Sequence, residues 1–559
     1  MKDRQVTNYI KKIIVHTEEM MEEPKWYMGI LLSLSTAFLL LLSYPTFDLH
    51  LLGFIALVPI FFLVYRTNIP KTIAYGILAG FPFYCLYLFW MNAYLAVVGV
   101  GFTTIVFGGY FVLALLFINL TARAFPKYRV AVTPFIWIAI EYIRSFGFLS
   151  FTFGSIGYTQ HSFLRFIQIA DIGGEPLVSF IIVLFNAAAA DFIVLILEKR
   201  DEAVPYMKRL IPLTFAAVLI ITSLVYGSVR LKEPIPAGKR MKLSLVQALS
   251  SPRTEWKREK WRALKRLTDL TKQSFEENEG IDLVVWTETA VRTSLRPNLI
   301  YGTPYHTKIQ NLIRDLGTDF IIGSPDNYYR KSVEKPNPDN LAEIYPKKGE
   351  EEVWTNSAYY LSSEGEIKGK YDKIKLTPFG EHFPLGNKVR LLQKILDNFT
   401  DSAGFTPGTE HTVFDHSKIP FSVVICWEGT YGYFIRQFVL NGAELIINIS
   451  NDMWTRTRAG HFQHFSMTKF RAIENRIWFA RAANDGVTAF INPHGEVVKI
   501  LPIKEGGYLV GEVGGRVRTT FYTRFGDILP KVSLWIFGLS FVSSVFILVR
   551  PPRTKRRRK

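Results

Sequence analysis

The chain has 559 residues, 49% of them apolar, 14% aromatic and only 20% charged, which excludes a single water-soluble domain and puts part of the chain in a medium other than water. The formal charge is +18, but Arg550, Arg553, Lys555, Arg556, Arg557, Arg558 and Lys559 crowd the tail directly behind an apolar run. That arrangement reads as a membrane topology signal, and no nucleic-acid partner is expected. The two cysteines, Cys85 and Cys426, allow one bridge at most and exclude a disulfide framework.

Residues 1–25 form a charged leader, too long and too polar to belong to a cleaved signal peptide, since the apolar core behind it is long and more spans follow. Trp26–Tyr44 has no charge, and Leu51–Tyr65 follows a short turn holding Pro45 and Asp48. Thr72–Ala122 contains no Asp, Glu, Lys or Arg; at about 20 residues per crossing it predicts two helices joined near Gly99 and Gly101. Val130–Ser145, Pro176–Leu197 (interrupted by Asp191) and Leu210–Val229 supply three more, and Val532–Val549 is the last. The expected organisation is a cytoplasmic leader at 1–25, a seven-helix membrane domain at 26–230, a polar domain at 231–531, an eighth helix at 532–549 and a basic cytoplasmic tail at 550–559.

Lys and Arg in short loops set the orientation. Arg66–Lys71, Arg123–Arg129 and Lys199–Arg209 are basic, whereas Pro45–His50 and the turn near Gly99 have no Lys or Arg. With a cytoplasmic N-terminus, seven crossings leave the polar domain outside, in the exterior or periplasm. On that side Phe148–Asp171 is rich in aromatics and glycine, and reads either as a packed interfacial arm or as a lipid-facing lip. Glu141 and Arg144, three apart on the fifth span, share one helical face, as a functional pair or as simple ion pairing near the interface.

From about residue 241, short β-rich runs (Lys242–Gln247, Asp282–Trp286, Phe320–Gly323, Ser357–Leu361, Phe421–Ile425, Glu444–Ile449, Val487–Asn492, Tyr508–Val513) alternate with amphipathic stretches such as Glu255–Asn278 and Gln463–Arg476. This predicts an α/β layered fold, with Asp326–Glu352 as a surface excursion. Two reactive residues follow directly on apolar strands. Leu283-Val284-Val285-Trp286-Thr287-Glu288 puts a carboxylate where burial raises its pKa toward a general base's range, and Phe421–Ile425 leads into Cys426, the only thiol of the polar domain. A third run, Tyr371–Glu381, is loop-like and carries Lys373. Taken singly, Cys426 reads equally as a small core residue, Glu288 as a helix cap and Lys373 as solvated surface. His461 and His464 stand three apart without a thiol or His–Glu partner at ligand spacing, so no metal is expected, and a P-loop, a dinucleotide fingerprint and a Gly-x-Ser-x-Gly elbow are absent.

In order along the chain, Glu288, Lys373 and Cys426 resemble the Glu-Lys-Cys triad of the nitrilase (carbon–nitrogen hydrolase) superfamily. With the membrane frame, the chain resembles the apolipoprotein N-acyltransferases over nearly its whole length. Supporting motifs are Leu245-Val246-Gln247 with Trp256, Trp286-Thr287-Glu288-Thr289-Ala290, Tyr371-x-Lys373 with Pro378-Phe379-Gly380-Glu381, Ile425-Cys426-Trp427-Glu428, Ser450-Asn451-Asp452, Arg471-Ala472-Ile473-Glu474 and Arg481-Ala482-Ala483-Asn484-Asp485-Gly486.

The resemblance implies a multi-pass α-helical membrane domain plus an external αββα sandwich in a bacterial inner membrane, with no cofactor. It implies acyl transfer from a phospholipid donor, through a Cys426 thioester, to the amine of a diacylglyceryl-cysteine apolipoprotein, by a chain expected to act as a monomer within membrane lipid. Glu288 becomes the acid–base, and Lys373 with the Trp427 N–H the oxyanion donors. Glu381 and Glu428 support them, and Trp256, Trp427 and Trp454 line the substrate path. The spacing from Phe379 and Glu381 selects Lys373 over Lys375. Two departures bear on lipid preference: Trp427 stands where the family commonly has Tyr, and Thr455-Arg456-Thr457-Arg458 replaces the usual Phe-Gly after Trp454. The alternatives are a membrane-tethered amidase or nitrilase acting on a small substrate, and a non-enzymatic transporter or receptor.

Overall fold

A computed structural model describes residues 24–147, 149–197, 206–236, 238–249, 256–296, 302–330, 351–378, 380–381 and 404–549. The basic tail, nearly all of the leader, most of the 199–209 loop, Phe148, Phe379 and the middle of the expected excursion (331–350) lie outside the described residues. The chain divides into two compact units: Met1–Phe146, Ser150–Lys232 and Asp527–Lys559 make one, and Gly147–Leu149 with Glu233–Gly526 the other.

In the first unit, six helices among the described residues are long and apolar enough to cross a membrane: Trp26–Ser43, Ile69–Tyr87, Gly99–Ala124, Glu175–Leu197, Leu210–Lys232 and Ile528–Val549. Two expected crossings are shorter. Leu51–Tyr65 divides into a 3-10 turn, His50–Phe54, and a helix, Val58–Arg66. Arg129–Arg144 has 16 residues, about 24 Å at 1.5 Å per residue against a hydrocarbon core of about 30 Å. The expected turn at Gly99 and Gly101 is also corrected. Both glycines lie inside one helix, Asn92–Ala124, and the break falls earlier, at the 3-10 turn Phe89–Met91. Glycine is tolerated inside membrane helices, so it is a poor punctuation mark there. The last helix starts at Ile528 rather than Val532, because its first turn tolerates Lys531, the charge that ended the apolar run.

Polar side chains in this unit satisfy broken backbone, as a low-dielectric setting requires. Asn186 accepts from Leu57 N–H (2.8 Å) and donates to Gly53 C=O (3.0 Å) across the break before Val58. Asp191, the one interruption in its span, pairs with Arg129. Glu141 accepts from Trp137 Nε1 (2.9 Å) and from the Ile156 N–H (3.0 Å), and Arg144 donates to Ser155 Oγ (3.0 Å). This pair therefore holds the aromatic arm, whose Phe151, Phe153 and Tyr158 are buried.

The second unit contains eleven strands among the described residues: β1 (Arg240–Gln247), β2 (Leu283–Trp286), β3 (Asp319–Arg330), β4 (Glu351–Leu361), β5 (Ile367–Asp372), β6 (Phe421–Ile425), β7 (Leu445–Ser450), β8 (Trp478–Ala483), β9 (Thr488–Ile491), β10 (Val497–Leu501) and β11 (Gly507–Gly514). They form a six-stranded sheet in the order β11-β1-β2-β3-β4-β5 and a five-stranded sheet in the order β10-β9-β8-β7-β6. β1, β2 and β3 run parallel, as do β6, β7 and β8.

Outside the first sheet, helices Trp256–Glu277 and Pro304–Leu316 bury Leu264, Leu267, Ile309 and Leu312 against Val246, Val284, Trp286 and Phe320. Each such side chain stabilises the fold by about 1.5–3 kcal/mol. On the other sheet, Arg458–Asn475 packs against β8 and Gly432–Leu440 against Arg458–Asn475, giving helix–sheet–sheet–helix layers. The sheets meet where Gln247 Oε1 accepts from Thr488 Oγ1 at 2.6 Å.

The α/β expectation therefore holds, with three strands added: β5, β8 and β10. The supposed excursion is corrected at both ends, since Asp326–Arg330 and Glu351–Glu352 belong to the paired strands β3 and β4. Charge hid them: buried Asp326 is matched by Lys370 Nζ at 2.6 Å, so a strand interior reads as loop.

Candidate active site

The carboxyl ends of parallel strands are where an α/β sheet opens its crevice, because the chain must turn there and leaves polar termini unpaired. Glu288 follows β2, Lys373 follows β5, Cys426 follows β6, and Asn451 and Asp452 follow β7. The chain after β2 lies tight against β3 because Gly323 has no side chain: a Cβ there would stand 2.3 Å from Thr287 O and 2.7 Å from Glu288 Cα. Cys426 has φ +57°, a left-handed conformation that L-residues other than glycine rarely hold. It turns β6 sharply into the 3-10 turn Cys426–Thr430, so the sulfur sits at an elbow.

Three expected residues come together around one ammonium. Lys373 Nζ, 1% exposed in its side chain, lies 3.3 Å from Glu288 Oε1 and 2.8 Å from Glu381 Oε2. Asn356 Nδ2 bridges the same two carboxylates, 2.8 Å from Glu288 Oε1 and 2.6 Å from Glu381 Oε1. The Asn451 N–H donates to Glu288 Oε2 (2.8 Å) and the Thr377 N–H to Glu381 Oε2 (2.8 Å). Cys426 feels Glu288 and Lys373 electrostatically, together with Asp452 and Glu381.

One ammonium between two buried carboxylates cannot serve both equally. Burial pushes the Glu288 carboxyl up, against the pull of Lys373 and its hydrogen bonds. Burial pushes Glu381 the same way, but Lys373, with the Thr377 N–H and Asn356, outweighs it and holds Glu381 below its ordinary value. Burial disfavours the Lys373 ammonium, yet Glu288 and Glu381 together hold it well above the usual lysine range. Burial, then the Glu288 charge, push the Cys426 thiol up, so the sulfur keeps its proton until a base removes it. The site thus carries a fixed cation, a carboxylate suited to taking a proton, and a protonated sulfur.

Glu428 is buried and ties two strand ends together. Its Oε1 accepts from Tyr371 OH (2.8 Å) and from the N–H groups of Ile374 (2.8 Å) and Lys375 (2.9 Å), while Oε2 accepts from the Ile425 N–H (2.8 Å). The loop carrying Lys373 is thereby fixed to the elbow carrying Cys426. Burial pushes Glu428 up to about 7 against these four donors.

Trp427 is buried, donating from Nε1 to Lys375 O at 2.6 Å, and Trp454 is half-buried at the end of the turn Asp452–Trp454. Trp256 opens its helix, and its side chain lies outside the described residues. Lys375 is not in the carboxylate cluster: its ammonium faces the rings of Tyr431 (4.6 Å) and Tyr433 (5.1 Å).

Asn356 and Tyr371 were not singled out as site residues. The available signal for Asn356 is Thr355-Asn356-Ser357, three successive polar residues that are all buried in the middle of β4. Behind the sulfur, Asp452 pairs with Arg481 (2.6 Å) and His464 (3.0 Å), and Asn448 Nδ2 holds the Cys426 carbonyl (3.1 Å).

Known proteins resemble the chain over most of its length. Residues 36–188 match the apolipoprotein N-acyltransferase N-terminal domain, and residues 242–521 match the carbon-nitrogen hydrolase domain. A relative from Treponema pallidum (strain Nichols), apolipoprotein N-acyltransferase 1, is 31% identical over 442 residues, covering 74% of this chain and 75% of that protein. The apolipoprotein N-acyltransferase of Geobacter metallireducens is 29% identical over 509 residues, 89% of this chain and 92% of that protein. Apolipoprotein N-acyltransferase 1 of Treponema denticola is 29% identical over 543 residues, 92% of this chain and 96% of that protein.

Proposed function

The chain belongs to the apolipoprotein N-acyltransferase family, its second unit being a carbon–nitrogen hydrolase domain, and from that premise we propose that it moves a fatty acyl group from a membrane phospholipid to the N-terminal amine of diacylglyceryl-cysteine on apolipoproteins. The observation that carries the reading is the single ammonium of Lys373 shared by Glu288 and Glu381 beside the Cys426 elbow.

In the first half-reaction the Cys426 sulfur attacks the ester carbonyl while Glu288 takes the thiol proton. The tetrahedral oxyanion receives hydrogen bonds from Lys373 and the Trp427 N–H; that N–H opens a 3-10 turn, where the first amides have no partner within the turn. Loss of one such donor costs about 3 kcal/mol in the transition state. Collapse breaks the ester C–O bond, Glu288 returns its proton to the leaving lysophospholipid oxygen, and the acyl group stays on sulfur as a thioester. In the second half-reaction the acceptor amine attacks that carbonyl, Glu288 takes a proton from the nitrogen, the C–S bond breaks, and the proton goes back to sulfur. The Glu381 carboxylate keeps Lys373 charged and in place throughout, and Glu428 fixes the Lys373 loop to the Cys426 elbow. The family resemblance further assigns Trp256, Trp427 and Trp454 to the substrate path.

Membrane helices suit such a reaction, since each acyl CH₂ moved into water costs about 0.8 kcal/mol. The basic loops Arg66–Lys71 and Arg123–Arg129 support a cytoplasmic N-terminus and a periplasmic catalytic unit in the bacterial inner membrane. The test is proteoliposome assay with acyl-labelled phospholipid and a diacylglyceryl-cysteinyl peptide. Label appearing as an amide on the peptide supports the reading; ammonia released from small amides with no such transfer supports the amidase alternative.

A further inference from the structure

The two half-reactions differ in their proton balance, and the difference exposes a role that the triad does not fill. In the first, a thiol and an ester become a thioester and an alcohol, with no net proton. In the second, an α-amine arrives as an ammonium, because its ordinary pKa is about 7.7–8.0. Thioester plus ammonium gives amide, thiol and one free proton. Glu288 only carries a proton from nitrogen to the departing sulfur, so the surplus proton of the ammonium needs another acceptor.

A polar pair with unused hydrogen-bonding atoms lies next to the reactive floor. His461, on the helix Arg458–Asn475, is wholly buried, and neither ring nitrogen has a hydrogen-bond partner among the described residues; the same holds for Asp485 Oδ1, just beyond β8. His461 Nε2 stands 3.9 Å from Asp485 Oδ2, and Asp485 keeps 7% of its side chain exposed where His461 keeps none, so the carboxylate is the outer member. The neighbours of Asp485 lead back to the site. Asn484 Nδ2 donates to Asn451 Oδ1 (3.3 Å), and the Asn451 N–H holds Glu288. A Cβ on Gly486 would stand 2.1 Å from Asp452 Oδ2, and Asp452 acts electrostatically on Cys426.

We propose that Asp485, backed by His461, receives the acceptor's α-ammonium and takes its surplus proton, delivering a neutral amine to the Cys426 thioester. The N–H bond of the ammonium breaks, a carboxyl O–H forms, and the proton leaves to solvent from the outer side of Asp485. This rests on the acyl-transfer reading above and deepens its second half. Burial, then the Asp452 charge, push Asp485 up to about 7, a value fitted to exchange a proton with an α-amine. The groups facing the pair are Asp452 after β7, Arg481 on β8, His464 on the same helix as His461, and Lys504 after β10.

The test uses the full chain in proteoliposomes and reads the halves separately: lysophospholipid release without acceptor, then decay of the Cys426 acyl adduct when a diacylglyceryl-cysteinyl peptide is added. In Asp485→Asn the first half should stay within about twofold and the second slow by about tenfold or more near neutral pH. The deficit should shrink at alkaline pH, where the peptide amine is already neutral. His461→Gln should give a smaller loss in the same half. Parallel loss of both halves, or an unchanged second half, overturns the inference. If the parent protein forms no Cys426 adduct, the thioester reading itself fails, and this inference with it.

Discussion

Glu288 and Asp452 each follow a buried parallel strand, are 6% and 0% exposed, and act on Cys426, yet they titrate in opposite directions. Burial pushes both up. Glu288 stays raised because its cation, Lys373, is shared with Glu381, whereas Arg481 and His464 together overcome burial at Asp452 and hold it well below the usual carboxylate range. What differs is how closely each carboxylate is matched: the shared Lys373 ammonium lies nearer Glu381 (2.8 Å) than Glu288 (3.3 Å) and leaves Glu288 able to accept a proton, whereas Arg481 (2.6 Å) and His464 (3.0 Å) make Asp452 a fixed charge. The Glu288 side of the sulfur is thus built for proton traffic and the Asp452 side for holding the elbow still.

Substitutions can break that division. The largest effect belongs to the sulfur itself: Cys426→Ala should lower acyl transfer about a thousandfold or more while leaving thermal unfolding close to the parent. Glu288→Gln should lower transfer about 10²- to 10⁴-fold in the proteoliposome assay. Its unfolding midpoint at neutral pH should stay unchanged or rise, since an incompletely paired buried charge has been removed.

Asp452→Asn should do the reverse in kind. It strands buried Arg481 and should cost about 3–5 kcal/mol of stability by denaturant unfolding. A Glu288→Gln that unfolds the protein, or an Asp452→Asn that is silent in unfolding, would erase the distinction.

The pH dependence separates the two sides as well. Glu288 acts as base only when ionised, and its folded pKa is raised, so activity should fall, as pH drops, at a midpoint above the ordinary glutamate value. Asp452 and Glu381 have lowered folded pKa values. Their contribution to stability is full above the unfolded carboxylate pKa and is lost only as pH falls through the lower folded values. Acid should therefore abolish transfer at a higher pH than it unfolds the catalytic unit, measured by activity and circular dichroism on the same samples. Coincident midpoints would contradict the assignment. The smallest effect is at Trp427→Phe, which removes the bond to Lys375 O and should cost about 1 kcal/mol of stability by the same unfolding measurement.

Glu288 and Cys426 were legible because each follows an apolar strand whose last residues are fully buried, so an abrupt reactive residue marks the strand's mouth. Asp372 and the lysines around it mask β5, so Lys373 read as loop and was separable from Lys375 only through the family's spacing. Asn356 escaped because its function depends on two carboxylates far away in the sequence, at 288 and 381. β8 escaped because Arg481 sits inside it, a charge that makes sense only opposite Asp452. In the membrane unit, hydropathy located the apolar segments but not their breaks. Gly99 and Gly101 continue a helix, whereas the break at Phe89–Met91 carries no glycine, proline or charge.

The central claim is that the Cys426 sulfur carries the acyl chain between donor and acceptor. Mass spectrometry of the Cys426 peptide after incubation with phospholipid alone tests it most directly. The expected result is one added fatty acyl mass on that cysteine, removed by hydroxylamine and by the acceptor peptide, and absent in Cys426→Ala. An unmodified Cys426 in a protein that still transfers acyl groups would contradict it.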